Sequence, residues 1–273
     1  MIRDLLGRTF DFLQPPRRVV SLVPSLTETL FDLGCGDAVV AVTDFCIFPP
    51  DLRCARVGGT KSPHVDAIRA LAPDLVHMNL EENLRRHADA IETFAPVFVS
   101  EPKSVDDVVA LITTLGAIHR ADARAQELVR TLDAARFTAA PFTFAVPIWK
   151  KPWMWCGGDT YVSALVESVG GCNVLRDRER YPAIEVEEVV AMKPEIIFLP
   201  DEPYVFTEED ALLVAPASSP AGPDASRVRG GGTPPAQPAG RRRYVIGPFP
   251  GHLFTWHGTR TIEGLRFLRR VLT

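Results

Sequence analysis

Cysteine is scarce and unpatterned: five residues in 273, an odd number, with no C-x-x-C pair. That excludes a disulfide framework and a zinc knuckle, and leaves Cys35, Cys46, Cys54, Cys156 and Cys172 as small, mostly buried side chains. No apolar run reaches the length of a membrane-spanning helix. Basic charge is not in excess either, with a formal net charge of −4, so nucleic acid is not expected as a partner. A P-loop, a G-x-G-x-x-G after a strand and a G-x-S-x-G elbow are all missing, and GCGDAVV follows a helical pattern, which makes its glycines a helix end. The first residues, MIRDLLGRTFDFLQPPRR, are broken by Arg3, Asp4, Arg8 and Asp11 and do not read as a secretory signal. The chain as given is therefore expected to be cytoplasmic. No titratable pair stands out as catalytic, so an enzyme is not expected.

The composition, 46% hydrophobic and 23% charged, supports two modest cores. Ser104–Arg136 has no proline, apolar residues at Val105, Val108, Ile112, Leu115 and Ile118 and again at Leu128, Val129 and Leu132, and an S-x-x-D box at Ser104 and Asp107. This pattern predicts one long helix of roughly 45 to 50 Å, with Gly116 tolerated inside it, bridging two bodies. Before it, a small hairpin over 4–14 leads to strands at 18–22, AVVAVT, DLVHMN and VFVS, separated by helices, with Ser25 capping the first helix and Gly34 ending it. Such alternation implies a parallel, helix-covered sheet. Beyond the bridge the order repeats: Val65–Asn83 aligns without a gap on Val186–Tyr204. The expected fold is α/β, two similar lobes joined by one backbone helix with a ligand cleft between them. Its segments are an N-terminal extension at 1–16, a first lobe at 17–103, the bridge at 104–137 and a second lobe at 138–273. Residues 214–250, dense in Pro, Gly, Ala and Arg, break the pattern and read as an irregular insertion or a stretch in a shifted frame.

Aromatic residues fall where loops leave the strands. Phe45 and Phe48 follow a strand of the first lobe, Trp149, Trp153 and Trp155 cluster in the second, and Trp256 with His257 opens the last helix. Rings facing a cleft suit a large, flat, partly apolar ligand, with Ser25, Thr60, Lys61, Asn79, Asp159 and Arg260 as polar contacts. Trp149, at a strand end, is instead expected in the core. His64, His77 and His257 with Glu202 could form a metal site, but no H-x-x-x-H pairing supports one, and no resident metal or cofactor is expected.

The set RVVSLVPSLTETLF, DFCIFPP, VGGTKSP, ALAPDLVHMN and VESVGGCNVLRDRERYPAIEVEEVVAMKPEIIFLP resembles the class III substrate-binding proteins of ABC importers, near their cobalamin-binding branch. The resemblance covers about residues 17–210 and 253–272. It implies a receptor that captures cobalamin or a similar metal chelate between its lobes and presents it to a membrane permease, outside the cytoplasm and as a monomer. It also implies that Pro24, Ser25, Phe48, Trp153 and Tyr181 border the cleft. Asn79 stands where that branch can offer an aromatic, and Arg85 where it places a docking acid, which leaves Glu81, Glu82 and Glu202 as the acids for permease docking. The alternatives are a divalent-metal, ferric-siderophore or haem receptor, and a cytoplasmic protein handling a tetrapyrrole or metal.

Overall fold

The computed structural model describes residues 2–4, 6–214 and 244–273, and the chain divides into two compact units. Unit 1 comprises Met1–Pro102, Asp106–Ala134 and His257–Arg260; unit 2 comprises Lys103–Val105, Ala135–Trp256 and Thr261–Thr273.

Unit 1 opens with a hairpin, β1 (Ile2–Arg3) against β2 (Thr9–Phe10), shorter and earlier than the 4–14 expected. Its sheet holds β3 (Val19–Ser21), β4 (Val39–Val42), β5 (Ala55–Arg56), β6 (Leu75–Asn79) and β7 (Val97–Ser100), all parallel, in the order β5-β4-β3-β6-β7. Every residue of β3, β6 and β7 is buried, which is why these strands read as unbroken apolar runs rather than alternating ones. At the edge strand β7, the amide of Val99 donates to Asp4 Oδ2 at 3.2 Å, so the hairpin satisfies an edge group that would otherwise be open to pairing. The helices between the strands are α1 (Pro24–Asp32), α2 (Val65–Ala70) and α3 (Arg85–Glu92). Ser25 does not cap α1: the helix starts at Pro24, whose missing N–H is no loss in a first turn, and Ser25 lies inside that turn. Gly34, with φ +77°, ends it as expected.

The helical run over 104–136 is two helices, α4 (Val105–His119) and α5 (Asp122–Ala135). The break falls at Arg120, φ +54°, and the amide of Ala121 donates back to the carbonyl of Gly116 at 2.8 Å, closing the end of α4. Gly116 is within α4 for another reason. A β-carbon there would lie 2.5 Å from the β-carbon of Ala125, so its absence lets α5 fold back closely on α4.

Unit 2 has a four-stranded parallel sheet, β8 (Phe142–Ala145), β11 (Gly171–Asn173), β12 (Ile196–Pro200) and β13 (Tyr244–Phe249), in the order β11-β8-β12-β13. A short antiparallel ribbon, β9 (Pro147–Trp149) with β10 (Met154–Trp155), extends from β8. The helices are α6 (Tyr161–Glu167), α7 (Val186–Ala191), α8 (Glu208–Val214), α9 (His252–Thr255) and α10 (Arg260–Leu272). The segment expected to be irregular is thus narrower than 214–250: Val214 ends α8, and 244–249 pairs with β12, supplying the helix and strand the second lobe needs. Residues 215–243 lie outside the described residues.

The internal repeat holds residue by residue. Shifting α2 and β6 by the Val65-to-Val186 offset of 121 gives the bounds of α7 and β12. The same shift relates Ala72 (φ +42°) to Lys193 (φ +58°), two left-handed helix ends before a proline. It also relates Asp74 to Glu195. Each acid precedes its strand and grips the neighbouring one. Asp74 accepts from the amide of Arg18 at 2.9 Å and donates its own to the Arg18 carbonyl at 3.0 Å; Glu195 does the same with Thr143 at 2.8 and 2.9 Å.

Candidate ligand-binding site

In open parallel sheets, ligands sit beyond the carboxyl ends of the strands. In unit 1 that edge carries a buried polar network. Asn83 donates to the carbonyls of Leu22 and Thr60, both at 3.0 Å, and its Oδ1 accepts the amide of Asn79 at 2.8 Å, which ties the ends of β3 and β6 to the loop after β5. Asn79 Oδ1 accepts from the amides of Glu81 (2.8 Å) and Glu82 (3.2 Å), so its NH2 group points elsewhere. It meets Nε2 of His257 at 3.1 Å. Nε2 is then the acceptor, Nδ1 carries the hydrogen, and it donates to Ser25 Oγ at 3.3 Å. Burial pushes His257 down to about 4, so the ring is neutral at pH 7.

His257 belongs to a four-residue strap, His257–Arg260, seated on α1. The amide of Thr259 donates to Thr29 Oγ1 at 3.1 Å. Gly258, φ +76°, passes where a β-carbon would strike that same oxygen. Arg260 forms a two-pronged ion pair with Glu28, Nε to Oε2 at 2.9 Å, and its guanidinium lies 4.0 Å over the ring of Phe48. Around this polar centre, Phe45 (60% exposed), Ile47 and Leu80 offer apolar surface on the loops after β4 and β6. Lys61, on the loop after β5, donates to the carbonyl of Glu81.

At the corresponding edge of unit 2 the tryptophans separate. Trp155 is fully buried, with Nε1 donating to the Ile184 carbonyl at 2.9 Å, and Trp256 is buried with its Nε1 on Glu202 Oε1 at 2.9 Å. Neither faces solvent, so both are core residues rather than the ligand contacts expected. Trp149 is the reverse, at 42% exposed, and stands edge-on to Tyr204 with ring centres 5.3 Å apart. The alternation of β10 and its flanks decides this, since Trp155 turns inward against Val186, Val189 and Phe206 while Trp149 ends its strand. Trp153 lies between, half-buried, stacked on Trp155 at 5.8 Å and on Phe206 at 5.5 Å, with Lys150 Nζ 5.6 Å from its centre. Tyr181 is half-buried beside Arg180, and Asp159 Oδ1 accepts the Arg180 amide at 2.5 Å.

Glu81, Glu82 and Glu202 are half-buried rather than fully exposed. Burial raises the Glu202 carboxyl, the Trp256 indole opposes this, and Asp201 adds to it. The histidines weighed for a metal site have separate surroundings. His64 is exposed, His257 is engaged as above, and His77 is buried in β6 with its Nε2 3.0 Å from Nε2 of His119 at the end of α4. Among the described residues no three side chains able to hold a metal come together. The His77–His119 pair was invisible in the sequence, where 42 residues separate its members.

The comparisons agree with this architecture. The periplasmic binding protein family model matches residues 19–211. The vitamin B12-binding protein of Yersinia pestis (strain Pestoides F) is 28% identical over 194 residues, covering 67% of this chain and 69% of the relative. Among solved structures, the periplasmic vitamin B12 binding protein of Vibrio cholerae superposes with a TM-score of 0.71 at 19% identity, over 93% of this chain and 95% of that one. A periplasmic heme-binding protein from Roseiflexus sp. RS-1, in apo form, gives 0.70 at 22% identity, over 92% and 96%. These relatives are named for what they bind, not for a reaction. The chain belongs to the periplasmic binding protein family: it is a two-lobed α/β substrate-binding protein of the ABC-importer type, not an enzyme, and its small molecule is cargo rather than cofactor.

Proposed function

We propose that this receptor captures cobalamin or a closely similar corrinoid outside the cytoplasm, as a monomer, and delivers it to an ABC permease. One observation carries the reading: exposed apolar side chains stand at the carboxyl edge of each sheet, Phe45, Ile47 and Leu80 in unit 1 and Trp149 in unit 2, and in unit 1 they accompany a network of neutral hydrogen-bonding groups, Ser25, Asn79 and His257. That mixture suits a large, flat chelate fringed with amides. The vitamin B12-binding relatives support the same choice. Ser25, Thr60, Asn79, His257 and Arg260, with Pro24, Phe45, Phe48 and Lys61, are the unit 1 residues assigned to the site, and Trp153 and Tyr181 those of unit 2.

Glu81 and Glu202, related by the 121-residue repeat, and Glu82 beside the first are assigned to permease docking. Their equivalent places after β6 and β12 support a paired role. A haem receptor is the second reading, favoured by the fold's likeness to the heme-binding protein of Roseiflexus. A divalent-metal receptor is disfavoured by the engagement of His77 and His257.

The test is titration of the folded chain with cyanocobalamin, followed by tryptophan fluorescence and calorimetry. Saturable one-to-one binding weakened by Trp153→Ala is expected. Absence of heat and of specific quenching would remove cobalamin, and haem would be tried next.

A further inference from the structure

Two cations placed at these sheet edges, Arg260 and Lys150, are held by internal carboxylates. Arg260 is held in two-pronged fashion by Glu28, with side chains only 11% and 14% exposed. Lys150 is paired with the buried carboxylate of Asp210, which also accepts the amide of Thr207 at 2.9 Å. Arg56 donates to the carbonyls of Thr43 at 2.6 Å and Cys46 at 2.9 Å, and Lys61 donates to the carbonyl of Glu81 while its exposed ammonium keeps its charge.

A guanidinium fork is the protein group best matched to a carboxylate. In unit 1 that fork lies in the same strap as His257 and against the Phe48 ring, but its partner is internal. A carboxylate-bearing ligand could use Arg260 only by displacing Glu28, leaving a nearly buried charge unpaired, a strongly unfavourable exchange. Beside this fork Ser25, Asn79 and His257 are neutral and bonded to one another, so within the strap Arg260 is the one guanidinium a carboxylate could seek.

We propose that Glu28 is a specificity-determining residue: by filling the Arg260 fork it withholds that guanidinium from chelates carrying a carboxylate and favours cargo with an uncharged polar group at that place. Glu28 acts through Arg260 and is a positioning residue. The proposal rests on the corrinoid reading above and adds the charge rule to it.

The test compares cyanocobalamin with its monocarboxylic acid derivatives, in which one side-chain amide is hydrolysed and the rest of the molecule is unchanged. Calorimetric titration of the wild-type chain should show the acids binding about tenfold more weakly or worse, the equivalent of roughly 1.4 kcal/mol. In Glu28→Gln, which keeps the shape but frees the guanidinium charge, the gap should close to within about threefold or invert. In the double variant Glu28→Gln/Arg260→Gln, which removes both charges, any gain for the acids should disappear.

Equal binding of amide and acid by the wild-type chain overturns the proposal without any variant having to fold. So does an unchanged gap in a folded Glu28→Gln. Failure of a folded wild-type chain to bind cyanocobalamin sinks the corrinoid reading instead. The charge rule is then scored on neutral and carboxylated ferric hydroxamates, where the same preference is expected and equal binding overturns it.

Discussion

Acidification from pH 7 to pH 4.5 puts the buried imidazoles of unit 1 under direct load. His77 and His119 face each other through their Nε2 atoms at 3.0 Å, so one must donate and the other accept, and two protonated rings cannot share that contact. Burial first, and the His119 charge second, hold His77 well below its ordinary value; burial brings His119 to about 4 although the Asp74 carboxylate pulls the other way. In the unfolded chain both titrate near 6.5. Because the folded values are the lower ones, stability is full above about pH 6.5 and is lost as pH falls toward 4. At pH 4.5 His119, held at about 4 when folded and free to titrate near 6.5 when unfolded, costs about 2.5 kcal/mol, and the lowered His77 adds a loss in the same direction. That is a large part of the roughly 5 to 15 kcal/mol typical of a folded protein. Urea unfolding followed by circular dichroism at pH 7, 5.5 and 4.5 measures it. His119→Gln, whose amide oxygen still accepts from His77, should remove the His119 share, about 2.5 kcal/mol at pH 4.5, while His77 and His257, also held low by burial, keep the rest. A flat profile over this range, or the same loss in wild type and variant, would refute the assignment of neutral buried rings.

Three further expectations concern packing. Trp155→Ala should cost about 3 to 5 kcal/mol, whereas Trp149→Ala, at an exposed ring, should change stability by less than about 0.5; comparable losses in urea melts would mean the two rings are wrongly placed. Gly116→Ala sets a helix-propensity gain of about 1 kcal/mol against an overpacking cost of about 1 to 3 at Ala125, and a net loss is expected. A more stable variant would show that α5 does not approach α4 so closely. Asn83→Ala removes two donations and one acceptance from a buried network and should cost about 2 to 4 kcal/mol by chemical denaturation, with Asn83→Asp no better because its second oxygen cannot donate.

Much of this arrangement was legible because local chemistry repeats. An A-P-D and a K-P-E, each after a short apolar helix and before an apolar strand, announce the same left-handed turn and the same acid grip on the neighbouring strand. What stayed hidden needed information that no window of sequence contains. Arg120 carries no glycine signature for the left-handed bend that splits the long helix, and the apolar stripe continues across it. Trp149 and Trp155 differ only by which face of a two-stranded ribbon they take, and a bulge between Met154 and Trp155 shifts that register. Ser25 looked like a helix cap because its role, a contact to His257 across 232 positions, is set by the strap.

That strap ties the folding of unit 1 to residues far downstream of its sheet. The ring between Ser25 and Asn79, the partner of Glu28 and the amide on Thr29 all come from residues some 180 to 230 positions later. A nascent chain can pair β3 through β7 early, but these buried polar groups and the Glu28 charge lack their partners until residues 257–260 have emerged. Such long loop closure is slow, so these contacts form later than the pairing of the sheet. A product terminated before residue 257 would carry the sheet without the contacts that residues 257–260 make to Ser25, Glu28, Thr29 and Asn79, and is expected to be less stable than the intact protein.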